Sequence, residues 1–90
     1  MSIELKISPF FHQYTDNKEA AQVNGKTVGE CVNDLIRQFP RLKNVIFDKT
    51  GKMYTYLDIF VNGESSFPKS MEKAVKDGDS LHIVMLIHGG

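Results

Sequence analysis

A chain of 90 residues has material for one domain around one modest core, so any active site in it must be simple or shared with another protein. Eleven Lys and Arg side chains balance eleven Asp and Glu in a composition 41% hydrophobic and 24% charged, so no net field draws the chain to nucleic acid. A single cysteine excludes an internal disulfide and leaves no basis for an iron–sulfur cluster or a structural zinc, which take about four ligands.

Ile3, Leu5 and Ile7 alternate with Glu4, Lys6 and Ser8, which predicts a strand with one buried face that Pro9 ends. The same alternation lacks the basic stretch and apolar block of a secretory signal. Apolar runs such as residues 81–87 fall far short of the roughly 20 residues that span a bilayer, so the expectation is a cytoplasmic protein that stays out of the membrane. Residues 10–18 read as irregular, and a short second strand over residues 20–23, before Asn24-Gly25, closes a first hairpin.

Thr27-Val28-Gly29-Glu30 has the spacing of a capping box, in which the threonine hydroxyl and the glutamate each take an unpaired amide at a helix start. Val28, Cys31, Val32, Leu35, Ile36 and Phe39 then follow at intervals of three and four, predicting a helix with one apolar stripe that Pro40 stops. Val45-Ile46-Phe47 reads as a short extended piece, and Asp48-Lys49-Thr50-Gly51 as a tight turn. Residues 54–61 form the next predicted strand, with Leu57, Ile59 and Val61 on one face and Tyr56, Asp58 and Phe60 on the other. Asn62-Gly63 is a strong hairpin signal, with residues 64–67 pairing back. A helical turn is expected over residues 70–75, and Asp77-Gly78-Asp79 launches a last strand over residues 80–87.

One helix and several half-buried strands need each other's apolar faces, which gives an α+β fold with a mixed sheet of four to five strands packed on one main helix. This order, together with Val23-Asn24-Gly25-Lys26-Thr27-Val28-Gly29-Glu30, Phe60-Val61-Asn62-Gly63-Glu64, Lys76-Asp77-Gly78-Asp79-Ser80-Leu81 and the final Gly89-Gly90, resembles the β-grasp fold of the ThiS/MoaD type of ubiquitin-like sulfur carriers. The resemblance covers essentially the whole chain, with a domain over residues 1–87 and a flexible tail over residues 88–90. It implies that Gly90 is the working residue. A ubiquitin-activating-type enzyme would adenylate its carboxylate with ATP, and sulfur from a donor such as a persulfide protein would replace AMP to leave a thiocarboxylate. That group would serve a sulfur-accepting enzyme of molybdopterin, cysteine or thiamine biosynthesis. The chain is then a protein cosubstrate and no enzyme, although with molybdopterin synthase as client it would count as that enzyme's small subunit.

The tail suits this chemistry physically. A terminal carboxylate, with a pKa of about 3.3–3.7, is ionised near neutral pH and resists attack by sulfur until it is activated. Gly89 and Gly90, without Cβ atoms, can pass through a narrow channel to a nucleotide. Gly25-Lys26 and Gly51-Lys52 lack the spacing of a phosphate-binding loop, so ATP belongs to the partner and no bound cofactor is expected.

Strand parity puts Tyr56 and Phe60, with Val84 and Leu86, on the face turned away from the helix. If those strands are neighbours, the four form an exposed apolar patch that, with His88 at the start of the tail, is the predicted protein-binding surface; the alternative is that Tyr56 and Phe60 only cover a small sheet. Cys31 falls on the apolar stripe and reads as a small buried hydrophobe, while His82 and His88 lie about 20 Å apart along a strand, too far to share a metal. Asp77 and Asp79 read as turn carboxylates. The competing functions are a ubiquitin-like modifier conjugated through Gly90 and a β-grasp binding module with an idle tail.

Overall fold

The computed structural model describes residues 2–86. Strands β1 (Ile3–Ile7), β2 (Ala20–Val23), β3 (Leu57–Val61), β4 (Glu64–Ser65) and β5 (Ser80–Met85) form one mixed sheet in the order β2-β1-β5-β3-β4. β1 and β5 run parallel at its centre, and the other neighbours are antiparallel. Helix α1 (Val28–Gln38) supplies the apolar face that the sheet lacks. Its Val28, Cys31, Val32 and Leu35 join Ile3, Leu5, Ile7, Ile59, Leu81 and Ile83 in one buried core. Each such aliphatic side chain taken from water contributes about 1.5–3 kcal/mol, before conformational entropy is set against it.

The start of α1 is fixed by its sequence. Thr27 Oγ1 accepts from the Glu30 amide at 3.1 Å, and Glu30 Oε1 accepts from the Lys26 amide at 2.9 Å, one residue earlier than the reciprocal bond of a capping box. Gly25 is needed just before, because a Cβ there would lie 2.8 Å from both the Cys31 nitrogen and the Glu30 Cβ. At the other end the Phe39 amide closes the last turn on the Leu35 carbonyl at 2.9 Å, and Pro40, which has no amide to give, opens a 3-10 turn over Pro40–Leu42.

Several segments differ from the sequence expectation: the helical turn expected over residues 70–75 is a shorter 3-10 turn, Ser70–Glu72, the last strand ends at Met85, and four others depart further. Val45 and Ile46 lie in a single helical turn, α2 (Lys43–Ile46), and only Phe47 is extended, bridging Met53. The reason is that Leu42 and Ile46, four residues apart, both enter the core, and a helical turn puts them on one side. Residues Pro9–Tyr14, expected to be irregular, form a 3-10 helix that buries Phe11. The strand expected over residues 54–61 begins at Leu57, because residues 54–57 close a turn in which the Leu57 amide donates to the Tyr54 carbonyl at 3.1 Å. The return strand over residues 64–67 stops at Ser65, close to Pro68, which has no amide to extend the ladder. The Asp48 turn is as expected, with Asp48 Oδ1 accepting from the amides of Thr50 and Lys52 at 2.8 and 3.1 Å.

Asn62 and Gly63 both take positive φ, 51° and 85°, as the tight hairpin between β3 and β4 requires. The Asn62 side chain also ties that turn to β5. Its Nδ2 donates to Asp79 Oδ1 at 3.0 Å, its Oδ1 accepts from the Ser80 amide at 2.9 Å, and Asp79 Oδ2 accepts from the Lys76 amide at 2.9 Å. The Asn62 bond above all, and then the Lys76 amide, hold the Asp79 carboxyl below its ordinary pKa of 3.8. Asp34 is lowered in the same way, mainly by its bond to Arg37.

Two outcomes are expected. Gly25→Ala should destabilise the domain by about 1–3 kcal/mol in urea unfolding, since helix backbone must shift to admit the methyl group. A folded-state carboxyl with lowered pKa stabilises the fold at pH values above its unfolded pKa, and that contribution vanishes as pH falls through the folded value. Unfolding measured at pH 5 and pH 3 should therefore show stability falling with acid below about pH 4, less steeply in Asp79→Asn, which starts from a lower stability at neutral pH.

Candidate functional site

The antiparallel register of β3 on β5 opposes Leu57 to Met85, Asp58 to Val84, Ile59 to Ile83 and Phe60 to His82. Even-numbered residues of both strands therefore share the face turned away from α1, and the structure brings Tyr56, Phe60, Val84 and Leu86 together there, as expected from parity. The Leu86 amide donates to the Tyr56 carbonyl at 2.6 Å, a rung just beyond the ladder proper. Tyr56 and Leu86 are 41% and 42% exposed, while Phe60 and Val84 are half-buried. The Tyr56 ring stacks on Tyr54 at 4.9 Å between centroids and 13° between planes, which orients it over the strand. Desolvation, with Tyr54 adding to it, raises the Tyr56 phenol above its ordinary 10.0, so it keeps its proton and can donate.

Two further side chains belong to this surface and were not among the residues predicted to bind a partner. Asp58 sits between Tyr56 and Phe60, and its Oδ2 accepts from Ser65 Oγ at 2.6 Å while its Oδ1 accepts from the Ile59 amide at 2.7 Å. His82, on β5, lies directly opposite Phe60 on β3 and beside Lys6 on β1. Both were available from the parity argument, because Asp58 shares the spacing of Tyr56 and Phe60, and His82 that of Val84 and Leu86. His88, Gly89 and Gly90, the tail expected to carry the chemistry, lie outside the described residues, as do Ile87, the expected end of the last strand, and Met1.

The remaining chemistry-bearing groups have structural partners. Cys31 is buried under α1, and burial first, then the Asp34 and Glu30 carboxylates, push its thiol up to about 11, so it stays protonated at neutral pH and is a poor nucleophile. His12 Nε2 lies 2.9 Å from the Ile7 carbonyl. Asp77 accepts from the Ser2 amide at 2.7 Å, the backbone role expected of a turn carboxylate. Among the described residues no three His, Cys, Asp or Glu side chains gather to hold a metal ion, and no helix is long and apolar enough to cross a membrane.

No protein-family model matches the sequence. The sulfur carrier protein CysO of Mycobacterium tuberculosis is 26% identical over 93 residues, covering 100% of both chains. The small archaeal modifier protein 1 of Haloferax volcanii is 28% identical over 64 residues, which is 71% of this chain and 70% of that one. A crystal structure of SAMP1 from the same organism superposes with a TM-score of 0.88 at 24% identity, covering 100% of both chains. In the crystal structure of the Amycolatopsis orientalis BexX/CysO complex, the matching chain is 27% identical and superposes with a TM-score of 0.86, covering 98% of this chain and 99% of that one. The β-grasp architecture, with its helix over a mixed five-stranded sheet, and the full-length likeness to CysO in both sequence and fold support the resemblance to the ThiS/MoaD family of ubiquitin-like sulfur carriers.

Proposed function

We propose that this chain carries sulfur on the carboxylate of Gly90 and delivers it to a biosynthetic enzyme. The observation behind this reading is that Tyr56, Phe60, Val84 and Leu86 share one open sheet face, with Tyr56, Val84 and Leu86 at the end of β5 from which the sequence runs on to Gly89-Gly90. A protein that receives the tail has an apolar surface to grip beside it. The domain itself supplies recognition and reach, and the catalyst belongs to the partner.

In the proposed sequence the Gly90 carboxylate attacks the α-phosphorus of ATP held by a ubiquitin-activating-type enzyme, and pyrophosphate leaves. The acyl-adenylate is then open to a sulfur nucleophile. The terminal sulfur of a persulfide displaces AMP, and a second thiol cleaves the sulfur–sulfur bond, leaving the thiocarboxylate on Gly90 and a disulfide on the donor. The thiocarboxylate sulfur then bonds to a precursor of molybdopterin, cysteine or thiamine type, and hydrolysis of the Gly90 acyl linkage by water releases the product and restores the carboxylate. Of these, cysteine-type delivery has support from the full-length likeness to the sulfur carrier protein CysO of Mycobacterium tuberculosis, and the BexX/CysO complex of Amycolatopsis orientalis shows a similar chain bound to a protein partner. In this reading the chain is a cosubstrate acting in the cytoplasm and binds no cofactor of its own. With molybdopterin synthase as client it would be that enzyme's small subunit. A second reading draws on the likeness to small archaeal modifier protein 1: the same activated Gly90 passed to a lysine amine as an isopeptide.

Intact mass after incubation with ATP, a sulfide source and the adenylating enzyme encoded in the same genome separates the two. A gain matching replacement of one oxygen by sulfur, absent from a chain lacking Gly90, is the expected result. Attachment to protein lysines with no such gain would favour the modifier, and no change with an enzyme that forms acyl-adenylate would reject both. Phe60→Ala should slow adenylation at subsaturating carrier by about tenfold, the size of one lost apolar anchor at a protein interface, while the maximal rate at saturating carrier stays near that of the unsubstituted chain.

A further inference from the structure

Where the open face turns toward the loop after β4, Met53, Tyr54, Leu57, Asp58, Phe67 and Leu86 line a cleft of about 370 Å³. Thr55 and Ser70 complete a lining that is otherwise aromatic and aliphatic, and the one charged side chain in it is Asp58. Among the described residues Asp58 has no cationic partner: its oxygens are held by the Ser65 hydroxyl and the Ile59 amide, and the ion pair present in the fold is Arg37–Asp34, on α1. Phe67 forms one wall although it is 76% exposed, an unusual position for a phenylalanine with nothing against it.

We propose that this cleft seats an arginine side chain of the adenylating partner, a refinement that rests on the carrier reading above. Charge complementarity selects the occupant. A carboxylate in a mostly apolar cleft loses its water when a protein covers the face, and that desolvation is best offset if the covering protein brings a cation to it. The aromatic walls favour guanidinium over ammonium, since a planar, weakly hydrated cation stacks on ring faces and reaches a carboxylate with two donors. The arginine's methylene stem would lie on Met53 and Leu86. Ser65 and the Ile59 amide fix the Asp58 carboxylate in place beforehand, so little rotamer freedom is lost on pairing. Because Leu86 is both a wall of the cleft and the last described residue before the tail, an enzyme that encloses the tail also covers the cleft.

The test is the affinity of the adenylating enzyme from the same genome for the full chain, measured by calorimetry for the unsubstituted protein, Asp58→Asn and Phe67→Ala. Asn retains an acceptor for the Ser65 hydroxyl, and unchanged urea midpoints verify that both variants fold. The expected result is a loss of at least about tenfold for Asp58→Asn and a smaller loss for Phe67→Ala. Binding of Asp58→Asn within about twofold of the unsubstituted chain would overturn the cleft proposal while leaving the carrier reading intact. A loss for Asp58→Asn with none for Phe67→Ala would place the cation elsewhere and overturn the cleft as its seat. No binding by the unsubstituted chain, with an enzyme that activates another carrier, would reject the carrier reading and the cleft with it.

Discussion

The parallel pairing of β1 with β5 is the constraint on which the rest of the structure depends. It joins residues about as far apart in sequence as this chain allows, Glu4 with Ser80 and Ile7 with Ile83, and it sets them at the centre of the sheet, where Leu5 and Leu81 are sealed from water. A parallel pair cannot be closed by a tight turn, so the intervening chain must cross over the sheet, and α1 is the element that does so. Once those two strands are central, β2 and β3 can only add outside them and β4 outside β3. The helix covers one face, and the other is left open.

That open face concentrates apolar side chains at one end of the β3–β5 pair. Toward β1 and β2 it carries Glu4, Lys6 and Gln22, which suit contact with water. Toward the end of β5 it carries Tyr56, Val84 and Leu86. The gradient follows from register alone, since a one-residue slip of β5 against β3 would bury Val84 and expose Ile83. Asn62 guards against such a slip by bonding both Asp79 and the Ser80 amide at the start of the strand. A side chain in a turn thus governs which residues the open face presents at the far end of the sheet.

Much of this was legible in the sequence because local chemistry and global fold agree. The alternation of β1, β3 and β5, the cap at Thr27 and Glu30, and the Asn62-Gly63 turn each have a short-range cause, and the structure keeps them. Val45-Ile46-Phe47 was misread as extended because three consecutive apolar residues fit either period, and only the pairing of Ile46 with Leu42 across one helical turn decides between them. The apolar face was legible from parity once β3 and β5 were taken as neighbours. The cleft beside it was not, because Met53, Asp58, Phe67 and Leu86 come from four separate segments whose meeting depends on how the loops after α2 and β4 fold back.

The position of β5 has a mechanical meaning as well. The strand is bonded along its length on both sides, to β1 from Ser80 to Ile83 and to β3 from Leu81 to Met85. A pull on the chain beyond Leu86 acts along the strand axis, so it loads those two ladders in shear, all rungs together, where the same force on a hairpin end would open rungs one at a time. Tension on the segment that follows β5 is therefore borne by both ladders at once and does not unzip the domain.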